Sequence, residues 1–277
     1  MAPEEQSDAE SPVDRVLVSH AAERAWEDAH IAWSDALQGD KGETVRESLG
    51  VCVEHAPGLL RKVLEQGVAL ERPLAEQRAF ARQLDLLAEH DPRSAEALYR
   101  DIVMRDGGKP TVVTAALEGV GEIKEIHLET FAMMIAITLS KFAEGSIEWK
   151  RARSLLFGGS HSGQAAVDPI TEGLRSERED IRRLTARWLL PELAKKKQLG
   201  TTILDLIEER LEVDRDPVTA RHCVEQLPAV FGRRPGQARR IVTKAWHYPD
   251  PTGAEAVRDA LVRGMHRAGM ADKLPVE

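Results

Sequence analysis

Three arginines each stand six residues after a β-branched residue: Arg153 after Ile147, Arg187 after Ile181 and Arg263 after Val257. Lys150, Arg151, Arg182, Arg183 and Arg221 lie close to them in the chain. Cations at a regular interval could form a track for phosphates or for an acidic partner, because they neutralise anionic charge. The same groups could instead pair with carboxylates of a neighbouring element, Asp180 among them. Trp149 and Trp188 share these segments. They could stack on a ligand, or fill half-buried core positions as large amphipathic side chains.

Other fragments carry chemistry in outline only. The stretch "RDGGKPT" (105–111) has a lysine after two glycines, as a phosphate-binding loop does. Pro110 separates Lys109 from Thr111, and a helical segment precedes it rather than a strand, so it reads as an inter-helix turn. "FGGSHSGQ" (157–164), with His161 at its centre, could present backbone N–H groups to an anion, or simply connect two units. Asp214, Asp216 and Glu225 have part of a calcium-loop spacing, but the sixth position is Thr219 where the sharp turn needs glycine. Cys52 with His55, and His222 with Cys223, match a zinc ligand set by type. About 170 residues separate them, and both cysteines read as small buried hydrophobes. No metal and no cofactor is expected, and no catalytic residue is assigned.

The elements that must position these residues repeat. "GLRSEREDIRRLTARWLLPELAKKK" (173–197) is echoed by "RLEVDRDPVTARHCVEQLPAVFGRR" (210–234). Each has a charged turn, a β-branched residue (Ile181, Val218) and a helix expected to end at Leu-Pro (Leu190-Pro191, Leu227-Pro228). Steps of 34 residues upstream from Ile181 reach Ile147, Val113, Ala79 and Val45; downstream the phase lengthens to Val218 and Val257. Before each anchor helix stands another helical stretch, such as "TTILDLIEERL", in which Ile203, Leu204, Ile207 and Leu211 share one face. Such a period means stacked helix pairs, because one pair cannot bury its apolar face alone. The reading predicts an all-α fold, a single curved solenoid of about seven stacked helix pairs over residues 12–277. It also predicts that Val113, Ile147, Ile181 and Val218 are buried near helix starts.

Asp180-Ile181-Arg182 resembles the HEAT-repeat pattern, in which an Asp- or Pro-bearing turn leads into Val/Ile-Arg at the start of the second helix. Val45-Arg46 and Val257-Arg258 match it in part; Val113 and Val218 are followed by threonine instead. Tetratricopeptide repeats share a period near 34, but their Trp, Gly-Tyr and Ala signature is missing at the required offsets. The resemblance implies a second helix lining the concave face, and hence a basic ladder there. The resemblance also implies two alternatives: a HEAT-like DNA glycosylase, where Trp149, Trp188 and the arginines could meet DNA, and, by fold analogy alone, a HEAT-like phycobilin lyase.

Composition bounds the rest. The chain has 277 residues, 42% hydrophobic and only 4% aromatic, a helix-forming vocabulary with enough apolar content for a core. Two distant cysteines make no disulfide framework. Residues 1–11 are acidic and lack periodicity, and are expected to be a disordered tail. The most apolar run, Phe131 to Leu139, is too short to span a bilayer and predicts a buried helix. The protein is expected to be cytoplasmic, with no membrane partner. Residues 1–164 hold 18 Lys and Arg against 28 Asp and Glu, whereas 182–244 hold 14 against 8. The net charge of −8 disfavours a nucleic-acid partner. The leading expectation is a non-enzymatic scaffold that holds a protein partner; the alternative is a nucleic-acid binder.

Overall fold

The structure is a computed structural model that describes residues 46, 49, 50, 53 and 57–275, apart from 160, 161 and 214. The expected tail, Val45, Cys52, His55, His161 and Asp214 lie outside the described residues. Among the described residues every regular element is a helix and none is a strand, so the fold is all-α. No described helix is long and apolar enough to cross a membrane. The chain divides between Gly119 and Val120 into two compact units.

The first unit contains α1 (Pro57–Gly67), α2 (Leu74–Ala81), α3 (Leu84–His90), α4 (Pro92–Met104) and most of α5 (Pro110–Ile123). Asp91 starts α4: its carboxylate accepts from the Ser94 N–H at 3.1 Å and the Ser94 hydroxyl at 2.5 Å, and Pro92 follows where no N–H is needed. Those hydrogen bonds hold the Asp91 carboxyl below the usual range. Leu98, Tyr99, Ile102 and Val103 then form the buried face of α4. Arg82, after α2, donates to Glu118 on α5 at 2.6 Å, a contact spanning 36 residues.

The second unit is a series of helix pairs. They are α6 (Leu128–Lys141) with α7 (Ile147–Phe157); α8 (Val167–Arg175) with α9 (Glu179–Leu184) and its continuation α10 (Leu190–Ala194); α11 (Gly200–Val213) with α12 (Pro217–Val224) and α13 (Leu227–Val230); and α14 (Pro235–Trp246) with α15 (Ala254–Arg267). Partners pack within each pair. Leading helices also meet, α6 with α8 and α11 with α14, as do trailing helices, α9 with α12 and α12 with α15. Residues 130–139 of α6 are all buried, as the apolar run predicts. On α8, a Cβ at Gly173 would lie 2.5 Å from the Thr185 hydroxyl, so glycine is what makes room for that side chain.

The β-branched anchors behave unequally. Val113, Ile181 and Val257 are buried, but Ile147 is 72% exposed and Val218 38% exposed. The expectation that all are buried is wrong for these two because helix phase differs. Ile181 is the third residue of its helix, and Val113 and Val257 the fourth, whereas Ile147 is the first and Val218 the second. Each step rotates a side chain by about 100°, so a constant count along the chain is not a constant face. In α12 the fully buried positions are Thr219, Ala220, Cys223 and Val224.

Leu-Pro also differs from expectation: it interrupts the trailing helix and does not end it. Pro191 and Pro228 each open a further helical turn, behind the fully buried Leu190 and Leu227. Proline cannot donate to the carbonyl four residues back. Before Pro191 the backbone widens into a π turn over Thr185–Leu189, where the Leu190 N–H reaches the Thr185 carbonyl. Ile181 and Thr219 are both third in their helices and fully buried. From there the chain takes nine residues to Leu190 but eight to Leu227, and the π turn absorbs the extra one.

Candidate functional site

The eight candidate cations all lie in the second unit, on or beside its trailing helices, and the structure sorts them into three groups. The first group is turned inward. Ser146 starts α7, accepting from the Trp149 N–H at 3.1 Å, and this sets the helix phase so that Trp149 and Arg153 lie half-buried. Arg153 Nε donates to Glu192 of α10 at 2.8 Å, 39 residues on. Its guanidinium lies 5.6 Å from the Trp149 ring and 5.1 Å from that of Phe157. Lys195 donates to the same carboxylate at 2.5 Å, to Glu144 at 3.3 Å, and covers Trp149 from 5.8 Å. Burial acts to lower the Lys195 pKa, yet its bonds to Glu192 and Glu144 outweigh that and raise it. Trp149 is thus held beneath two cations, the half-buried alternative of the two read from the sequence.

Arg183 repeats the device one pair later. Its Nε and Nη2 meet Asp216 at 3.0 and 2.9 Å, 33 residues on, and it also contacts Glu179. Asp216 starts α12 by accepting from the Val218 and Thr219 N–H groups, both at 3.2 Å, and from the Thr219 hydroxyl at 2.6 Å. Burial would raise its pKa; Arg183 and Thr219 overcome that and hold it at about 2. This role also accounts for the acidic residue that gave 214–225 its calcium-loop outline. Arg182 donates to the Ser176 and Glu177 carbonyls at 2.8 and 2.9 Å, closing the C-terminus of α8.

A second group answers to its own helix. Arg221 reaches Glu225 at 3.4 Å, and Arg263 reaches Asp259 at 3.7 Å. Arg187 is exposed and lies over the half-buried Trp188 at 5.2 Å. The third group is Lys150 and Arg151, exposed on α7, whose side chains have no ion pair or hydrogen bond among the described residues. Arg153, Arg187 and Arg263 therefore share an offset in sequence but not an environment.

The leading helices carry a zipper of the same kind. Arg175 of α8 forms a two-point contact with Glu209 of α11, both bonds at 2.9 Å. The buried Arg210 donates to the Leu174 carbonyl at 2.8 Å. Gln237 of α14 donates to Asp205 and Glu208 at 2.7 and 2.9 Å, and Lys244 to Glu208 at 2.8 Å with Glu212 also in contact. Sequence reasoning placed none of these in its basic ladder. Part of their signal was present as cations and carboxylates 32 to 36 residues apart, Arg175 with Glu209 and Lys244 with Glu208 and Glu212.

The loop after α7 is used locally. Gly158, Gly159 and Gly163 have positive φ, and the Gly158 and Gly159 N–H groups close the end of α7 on the Leu155 and Ser154 carbonyls. Gln198 donates to the Ser162 carbonyl at 2.8 Å. The 105–111 stretch is the turn between α4 and α5, with Pro110 opening α5. Cys223 is fully buried.

No family model matches the chain, and no curated protein matches it. Among solved structures it is similar to human deoxyhypusine hydroxylase in complex with glycerol, at 14% identity and a TM-score of 0.32, over 95% of this chain and 99% of that one. It is also similar to an engineered protein, at 13% identity and a TM-score of 0.30, over 75% of this chain and 97% of that one. Likenesses this weak carry no argument about fold or function.

Proposed function

We propose that the helix pairs are HEAT-like repeats of an α-α solenoid and that the protein is a non-enzymatic scaffold holding a protein partner on its trailing-helix face. The observation that carries the reading is the pairing of the repeat-spaced cations. Arg153 with Glu192 and Arg183 with Asp216 join neighbouring pairs, as Arg175 with Glu209 does on the leading helices. A phosphate track needs cations free to replace counterions. Cations already neutralised by the next repeat serve cohesion instead. Arg82 with Glu118 brings the same spacing into the first unit. Stacked pairs build an extended surface suited to another polypeptide.

The alternative, a nucleic-acid binder, rests on the exposed Lys150, Arg151 and Arg187. Duplex DNA titrated at two salt concentrations separates the two readings, beside melting curves of Arg153→Glu and of Arg187→Glu/Arg263→Glu. The scaffold reading expects no DNA affinity at low salt, a lowered Tm for Arg153→Glu, and a near-native Tm for the double variant. Salt-sensitive DNA binding that the double variant abolishes would overturn it.

A further inference from the structure

One face of α7 brings an exposed apolar side chain together with two cations. Ile147, Lys150, Arg151 and Ser154 follow the i, i+3, i+4, i+7 spacing of one helical face, and all four are exposed. Ile147, at 72%, is the most exposed of the large hydrophobic residues described. Several other arginines of the trailing helices have a carboxylate at hand, Arg183 with Glu179 and Asp216, Arg221 with Glu225 and Arg263 with Asp259, whereas the exposed Arg187 and Arg258 lie over Trp188 and Trp246. Lys150 and Arg151 have no such carboxylate among the described residues. Glu148 is buried, and the carboxylates that approach α7 from either side, Glu144 and Glu192, are both taken by Lys195.

We infer that this stripe docks an acidic amphipathic segment of a partner protein, its apolar residues on Ile147 and its carboxylates on Lys150 and Arg151. Charge complementarity selects the occupant. Two adjacent cations with no carboxylate among the described residues call for carboxylates, and an isoleucine one turn away on the same face calls for an apolar side chain between them. Nucleic acid fits less well, because it offers no apolar group to the exposed Ile147. The inference rests on the scaffold reading and names the class of partner for it.

The test is fluorescence anisotropy with three labelled probes: a peptide of Glu and Leu at helical spacing, its Lys and Leu counterpart, and a mixed-sequence duplex DNA. Wild-type protein is expected to bind the Glu/Leu peptide with an affinity that falls with salt, and not the Lys/Leu peptide. Lys150→Glu/Arg151→Glu should weaken binding roughly tenfold or more. Ile147→Ser should weaken it while leaving the salt dependence unchanged. Each variant should melt as wild type does, since all three positions are exposed. Absence of Glu/Leu binding, equal binding of the two peptides, or binding indifferent to both variants would overturn the inference and leave the scaffold reading standing. DNA binding lost in the Lys150/Arg151 variant would overturn both.

Discussion

Replacing Asp216 with asparagine removes one charge from the joint between the second and third helix pairs while keeping an oxygen that can start α12. The carboxyl titrates at about 2 in the folded protein, against an ordinary value of 3.8. That depression corresponds to about 2 kcal/mol of stability at neutral pH. Because the folded pKa is lowered, the contribution is fully present above the unfolded value. It is lost as pH falls from about 5 through the folded value, where both states become protonated. Asparagine serves nearly as well as aspartate at a helix start, so Asp216→Asn isolates the charge. Asp216→Ala removes the cap as well and should cost about 1 kcal/mol more. Urea unfolding of wild type and both variants at several pH values measures this. Asp216→Asn should be less stable by about 2 kcal/mol at pH 7, and the gap should close as pH approaches 2. A gap under about 0.5 kcal/mol at neutral pH, or one that persists unchanged in acid, would refute the reasoning.

Further outcomes follow from burial and contact. Ile181→Asp strands a charge in a fully buried site and should cost several kcal/mol, whereas Ile147→Asp should melt like wild type; equal effects would contradict the assigned helix phases. The Thr185 hydroxyl is buried without a hydrogen-bond partner among the described residues, so Thr185→Val should leave Tm unchanged or raise it, and a clear drop would reveal a bond that the hydroxyl makes. Gly173→Ala should lower stability by about 1–3 kcal/mol, because the added methyl meets Thr185; unchanged unfolding in urea would show that α8 can shift.

The helical class was legible because helix formers dominate and breakers such as Asp91-Pro92 and Asp216-Pro217 mark real helix starts. Pair-on-pair contact was legible in the spacing of charges as well as in the apolar anchors. What the count could not give was phase. Turns of unequal length place Ile147 first and Ile181 third in their helices, and two positions in equivalent places in sequence then face opposite ways. The arginines misled for a related reason. A shared offset says nothing about whether a carboxylate waits in the next pair, and only Arg153 of the three offset-matched arginines meets one there. The π turn before Pro191 was hidden because a one-residue insertion leaves the local pattern of Leu and Ala intact.

The bond between Arg153 and Glu192 offers the most direct test that the repeat-spaced cations hold neighbouring pairs together. In a double-mutant cycle, Arg153→Gln, Glu192→Gln and the combined variant would be compared with wild type by chemical denaturation. The contact is 2.8 Å long and its carboxylate is buried. The predicted coupling is about 1–3 kcal/mol, with the double variant less destabilised than the sum of the two single ones. Losses that simply add would show that the bond does not couple the neighbouring helix pairs, and would return Arg153 to the candidates for a ligand track.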